Sequence, residues 1–158
     1  MTIAIERIGP DFVRYEDLLS LIHTAFAYMD GRIDPPSSAH RLTPELLRQK
    51  AQTEIAFAAI EDGQLIGCVF LKPEETALYI GKLAVHPQVQ GRGVGRRLLR
   101  QAEATAHALG LAALRLETRV ELVENHSRFA AWGFARTAEH SHPGYDRITS
   151  IEMRKTLD

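Results

Sequence analysis

Alternating strand and helix signatures predict one α/β (α+β) domain with the element order β-α-α-β-β-β-α-β-α-β-β. Three observations carry that prediction. Apolar runs of strand length recur between amphipathic stretches of helical period. Two of the runs are joined by Asp62-Gly63, a two-residue hairpin signal. A third stops at His86-Pro87 and is followed by a glycine-rich loop that opens a helix. A chain of 158 residues can bury a real core. No linker, repeat or low-complexity segment divides it, so positions 1–158 read as a single domain.

Each element has its own local reason. Thr2 to Ile8 alternates as a first strand and is ended by Gly9-Pro10. Asp11 is the expected N-cap of a helix carrying Leu18, Leu19, Ile22 and Phe26 on one face. Pro35-Pro36 keeps the segment from Asp30 to Ser38 from being helical. Thr43 caps a second helix and Pro44 fits its first turn. Ile55 to Ile60 and Gln64 to Leu71 are the hairpin strands, and Ala77 to Val85 is the next. The following helix runs to about Leu109, with Val94, Leu98, Leu99, Ala102 and Ala106 at helical spacing and Gly110 as its stop. Ala113 to Glu117 is a further strand, and Asn125 to Trp132 a short helix stopped by Gly133. Phe134 onward and Ile148 to Lys155 close the sheet.

Composition narrows the function. Hydrophobic residues at 45% and charged ones at 25% are ordinary for a soluble globular protein. A net charge of −1 argues against a general nucleic-acid binder. No signal-peptide pattern opens the chain and no apolar run reaches membrane-spanning length, so no membrane partner is expected. The single cysteine, Cys68, cannot form an internal disulfide and fits a reducing cytoplasm; it reads as a small buried hydrophobe. His140 and His142 alternate, but no third ligand follows at a recognised spacing, so no metal is expected.

The chemistry concentrates at Leu83-Ala84-Val85-His86-Pro87 and the loop Gln90-Gly91-Arg92-Gly93-Val94-Gly95-Arg96-Arg97. A helix N-terminus offers free N–H groups and the positive end of its dipole, and glycines let those amides approach an anion. Arg92, Arg96 and Arg97 add charge, so the segment reads as a pyrophosphate cradle. The Gly-Lys-Ser/Thr of a P-loop is absent, and Arg96 stands where a dinucleotide fingerprint needs its third glycine. What remains, Gln90-x-x-Gly93-x-Gly95 after a strand, resembles the coenzyme A signature of the GNAT superfamily of N-acetyltransferases. A later segment, Glu124-Asn125-His126-Ser127-Arg128-Phe129 with Trp132-Gly133-Phe134, resembles that family's second motif. The element order resembles its fold from end to end.

That resemblance implies a mixed, mostly antiparallel sheet splayed at the cofactor strand, with acetyl-CoA as acyl donor. Leu83, Ala84 and Val85 would hold the pantetheine arm by their backbone, as an added strand would, and one N–H would polarise the thioester carbonyl. Gln90, Gly91, Arg92, Gly93, Val94, Gly95 and Arg96 would hold the pyrophosphate. Asn125 would bond the pantetheine arm while capping its helix, and Phe129 would line the cofactor site. Trp132 reads as core. Phe129 stands where many relatives carry a proton-donating tyrosine, and Tyr79 where many carry a glutamate base. Coenzyme A resembles a simple thiol, with a pKa near about 8.5, so its thiolate leaves tolerably well without an acid. Glu117 is the first candidate for the base; Tyr145 and Tyr79 are candidates for the acid.

The acceptor side is expected on two loops. One carries Tyr28, Met29, Arg32 and Asp34, the other His142 and Tyr145. Asp34 could hold a cationic amine and Arg32 a carboxylate, so an amino acid, a polyamine, a small drug-like amine or a peptide amine all remain open, and so does a homodimer. The expected activity is transfer of an acetyl group to a primary amine by direct attack. Two rivals stand beside it. One is a non-catalytic acyl-CoA sensor, and the other an acyltransferase with a different acyl donor or a hydroxyl acceptor.

Overall fold

Local chemistry sets most element boundaries, and the computed structural model, which describes residues 2–158, shows how. The elements follow the predicted order: β1 (Ile3–Arg7), α1 (Tyr15–Phe26), α2 (Pro44–Thr53), β2 (Ile55–Glu61), β3 (Gln64–Pro73), β4 (Ala77–Val85), α3 (Val94–Ala108), β5 (Ala113–Arg119), α4 (Val123–Ala131), β6 (Ala135–His140) and β7 (Ser150–Thr156). Thr43 Oγ1 accepts from the Leu46 N–H at 3.1 Å, with Pro44 leading α2. Asp62 and Gly63 both take positive φ, 52° and 77°, which suits the tight turn between β2 and β3.

Two expected caps are corrected. Asp11 does not cap α1, which begins at Tyr15 behind Arg14. The chain first makes a turn, Phe12 N–H to Gly9 O at 3.1 Å, and the Phe12 ring meets Tyr15 edge-on at 5.0 Å. Asn125 does not cap α4 either; that helix starts at Val123, so Asn125 lies in its first turn with its N–H donated to Leu122 O.

Among the described residues the strands form one sheet in the order β1-β2-β3-β4-β5-β7-β6. Every neighbouring pair is antiparallel except β4 with β5. One face packs α3 through Leu98, Leu99 and Ala102 onto Val69, Leu71, Leu78 and Leu114. The other packs Leu18, Ile22 and Leu47 of α1 and α2 onto Cys68 and Phe70. Cys68 is fully buried, and burial pushes its thiol up to about 12, so it stays protonated. No helix among the described residues is long and apolar enough to cross a membrane.

The β4–β5 contact is short. Its parallel register runs from Ala77↔Ala113 to Ile80↔Leu116 and stops. Beyond it β4 stays with β3 as far as Val85, while β5 stays with β7 as far as Arg119. Opposite Phe70 and Leu71 the β4 partners are Lys82 and Ile80, so Gly81 is an extra bulged residue. The sheet therefore parts just after the bulge.

Gly67 lets α3 sit close to β3. An added Cβ there would lie 3.1 Å from Ala84 O, Leu98 Cδ1 and Val94 Cγ1. The carbonyl belongs to a paired central strand and cannot retreat. Gly67→Ala is expected to destabilise the fold by about 1–3 kcal/mol, read as a lower urea midpoint at unchanged slope.

Candidate active site

The glycine loop builds one end of the site from backbone. Gly91 and Gly93 adopt φ of 84° and 81°, a region where a side chain is strained. Gly93 takes the N-cap position of α3, so the first N–H groups of that helix point outward without intrahelical partners. Gly95 admits Trp132: a Cβ there would stand 3.3 Å from the indole ring. Val94 is buried against the core, while Gln90 follows a short 3-10 turn at Pro87–Val89.

The arginines around this loop are mostly engaged elsewhere. Arg92 donates from both terminal nitrogens to Glu61, at 3.1 and 2.6 Å, and this pairing holds the Glu61 carboxyl below the usual carboxylate range. Arg97 donates to the Ile3 carbonyl at 2.7 Å. Arg96 is exposed and has no such partner among the described residues.

Where β4 and β5 part, a cleft of about 350 Å³ opens. Among the residues marked by the sequence it gathers Tyr28, Met29, Tyr79, Leu83, Glu117, Asn125, Phe129 and His142. Ala84 and Val85 continue the same strand, with Ala84 buried towards α1 and Val85 packed towards α3. Asn125 Nδ2 donates to the Tyr28 hydroxyl at 3.0 Å. Phe129 meets Trp132 and Phe134 edge-on, each at 5.8 Å, and brings no proton to the cleft.

Arg115 organises the floor. It donates to both oxygens of Glu74 at 2.9 and 2.8 Å, to Glu117 Oε2 at 2.9 Å and to Glu152 at 3.1 Å. Its guanidinium also lies 4.4 Å from the Tyr79 ring centre. Glu117 keeps Oε1 without a protein partner among the described residues. Burial, and then the Glu117 charge, push the Tyr79 hydroxyl above its ordinary value, so it holds its proton and cannot serve as a base at neutral pH. Burial, and then Arg119, lower His142, leaving a neutral imidazole whose Nδ1 contacts Thr149 Oγ1.

Three of the residues marked for the acceptor or for proton transfer lie outside the cleft lining, tied up with other groups. The Tyr145 hydroxyl donates to Asp34 Oδ1 at 2.7 Å, which raises its pKa and directs its proton to that carboxylate. Asp34 is further approached by Arg147. Arg32 pairs with Glu124 at 2.7 Å.

The sequence left Lys82, Arg41 and Arg119 unmarked, yet all three line the cleft. Lys82 Nζ donates to Ser38 Oγ at 3.0 Å, and burial, reinforced by Lys50, draws its ammonium below the usual range. Arg119 donates to the Pro35 and Pro36 carbonyls at 2.6 and 3.2 Å. The available signal was Lys82 itself, a charge inside the otherwise uncharged run Ala77–Val85.

The family model described as the acetyltransferase (GNAT) family matches residues 16–134. The chain belongs to that family. An IAA acetyltransferase of Azospirillum brasilense is 32% identical over 143 residues, covering 89% of this chain and 90% of that protein. An amino-acid acetyltransferase of Ralstonia nicotianae is 39% identical over 93 residues, covering 56% of this chain and 21% of that protein. The crystal structure of PaiA N-acetyltransferase from Thermoplasma acidophilum in complex with coenzyme A superimposes with a TM-score of 0.80 at 19% identity, covering 99% of this chain and 100% of that one. The GNAT fold of this acetyltransferase is thereby shown. Its glycine-capped helix opens onto free space, with no heavy atom within 4 Å of where a Cβ at Gly91 or Gly93 would stand.

The carboxylates of this GNAT domain predict its acid response. Glu61 and Glu74 are lowered by their arginines, and Glu152, which burial raises, is drawn down by Thr137 and Arg115. Stability from such groups is present above the unfolded carboxylate pKa, about 4.3, and is lost as pH falls through the lower folded values. The urea midpoint should drop between neutral pH and about pH 3, and Arg115→Met should lower it at pH 7 while shrinking that acid loss.

Proposed function

We propose that this acetyltransferase transfers an acetyl group from acetyl-CoA to a primary amine by direct attack. The observation that carries the reading is the unpaired edge of β4 beyond Ile80, lying beside a helix whose N-terminus is opened by glycine. The relatives named for IAA and amino-acid acetylation support the reaction class. Acetyl-CoA supplies an acetyl group already activated as a thioester.

The chain's own residues do the rest. The amides of Gly91 to Arg96 hold the pyrophosphate through the α3 N-terminus, with Gln90 at the loop's entry. Arg92 steadies that loop through Glu61 and adds its charge at one remove. The backbone of Leu83, Ala84 and Val85 orients the pantetheine arm, Asn125 bonds it and Phe129 packs against it. An N–H on the same open edge faces the carbonyl oxygen as negative charge develops there. Glu117 takes the amine proton through Oε1, held in place by Arg115 on its other oxygen. Tyr79 keeps its proton in the cleft and donates it to the departing sulfur. Tyr28, Met29 and His142 bound the acceptor.

Three variants test this. Gly93→Val forces a β-branched residue into a left-handed conformation and should weaken acetyl-CoA binding, measured calorimetrically, by more than about tenfold. Arg92→Ala should weaken it less and instead lower the melting temperature. Glu117→Gln should cut kcat for thiol release by about 10²–10⁴ with acetyl-CoA affinity unchanged. Binding without release from any amine would favour the sensor, and release with hydroxyl acceptors alone would favour an O-acyltransferase.

A further inference from the structure

The acceptor end of the cleft carries unbalanced positive charge. Lys82, Arg41 and Arg119 line it, against Glu117 as the one carboxylate on its walls. Glu117 is already paired with Arg115 from behind the wall. None of the three cations forms an ion pair with a carboxylate among the described residues: Lys82 rests on a serine hydroxyl, and Arg119 on two carbonyls. The carboxylates whose fields reach them, Glu54 at Lys82 and Glu121 and Asp34 at Arg119, are paired with Lys50 and Arg147. Other half-buried cations here are paired, Arg115 with three glutamates and Lys50 with Glu54. Taking a lysine out of water beside other cations is unfavourable unless an anion joins it. The protein as a whole carries a net charge of −1, so this local excess is not a general property of its surface.

The phosphates of the donor do not account for it. Residues 90–96, which form the glycine loop, contribute nothing to the lining of this cleft. An anionic group on the other substrate would meet this positive charge. Asp34, the carboxylate that could have greeted a polycation, is occupied by Tyr145 and approached by Arg147. A polyamine entering here would meet three cations and no free carboxylate but half of Glu117.

Resting on the acetyltransferase reading above, we infer that the acceptor is a small amine that also bears a carboxylate, with the carboxylate bound between Lys82 and Arg41. Arg119 stays on the loop carbonyls and adds its field from the β5 side. The amine then reaches the parting of the strands, where Glu117 Oε1 receives its proton. Amino acids are the simplest members of this class.

The test compares acceptors in pairs, each amino acid against its own carboxamide, with rates of thiol release corrected for the fraction of free amine. Carboxylate acceptors should exceed their carboxamides by about 10- to 100-fold in kcat/KM, mostly through KM. Lys82→Met should collapse that preference to within about threefold while the calorimetric Kd for acetyl-CoA stays unchanged. Arg41→Ala, at an exposed position, should narrow it in the same sense without touching a buried group. Carboxamides or alkylamines performing as well as carboxylates in the unaltered enzyme would overturn the inference and leave the acetyltransferase reading standing. No turnover of any carboxylate acceptor would overturn it too. Retained acetyl-CoA binding then faults the acceptor class alone, and lost binding faults the proposed function with it.

Discussion

Everything at this site depends on a parallel strand pair that is only partly made. β4 and β5 share a register over Ala77–Ile80 and Ala113–Leu116, then each follows its other neighbour. An unpaired strand edge is costly when buried, because its N–H and C=O groups need partners. A ligand that lies along the edge can supply them, which is why an extended pantetheine arm suits the gap. The gap is held open by specific contacts. Gly81 bulges β4 away from a regular ladder, and Arg115 pins β5, β7 and the Glu74 turn together at the base. At the mouth, Arg119 grips the Pro35 and Pro36 carbonyls while Asn125 holds Tyr28. The two half-sheets are thus joined below and propped apart above.

Charge is divided along the cleft by the same framework. At the glycine-loop end, the side-chain cations face the β1–β2 edge, Arg92 to Glu61 and Arg97 to the Ile3 carbonyl. On the proposed reading anion recognition there falls to the α3 amides and dipole, which are fixed by the fold and need no side-chain ordering. At the other end the balance is reversed: the cations Lys82 and Arg41 line the cleft without an ion-pair partner among the described residues. Under that reading backbone would serve the constant group of a donor, and side chains what varies between acceptors.

The sequence made legible what is local. Thr43-Pro44, Asp62-Gly63 and the Val94–Ala106 stripe each act within a few residues, and each lies where periodicity and turn chemistry put it. Pairings at long range were not legible. Arg92 finds Glu61 across 31 positions and Tyr145 finds Asp34 across 111, and both diversions change what those side chains can do. Asp11 and Asn125 had the right chemistry for caps, but α1 starts beyond Asp11, where Phe12 meets Tyr15, and α4 starts ahead of Asn125, whose N–H goes to the Leu122 carbonyl. Lys82 was hidden for a subtler reason. One charge in an apolar strand reads as an edge residue until the bulge at Gly81 turns it inward.

Phe129 is the position where the proposed chemistry is most constrained. Its ring is locked between Trp132 and Phe134, so α4 offers packing where a hydroxyl would offer a proton. Tyr145 cannot compensate, since its hydroxyl is bound to Asp34. Tyr79 is left, on the opposite wall, with the properties an acid requires: a position in the cleft, a retained proton, and a ring fixed over Arg115. Its buried hydroxyl would leave a phenolate within the field of Arg115, which eases loss of the proton at the moment the sulfur departs. The same arginine holds Glu117 by its other oxygen, so one guanidinium would orient the base and stabilise the acid as it gives up its proton. Under the proposed roles both substitutions away from the usual pattern, at Tyr79 and at Phe129, would describe a single change: the acid moved from the helix to the strand, and the base from that strand to its neighbour.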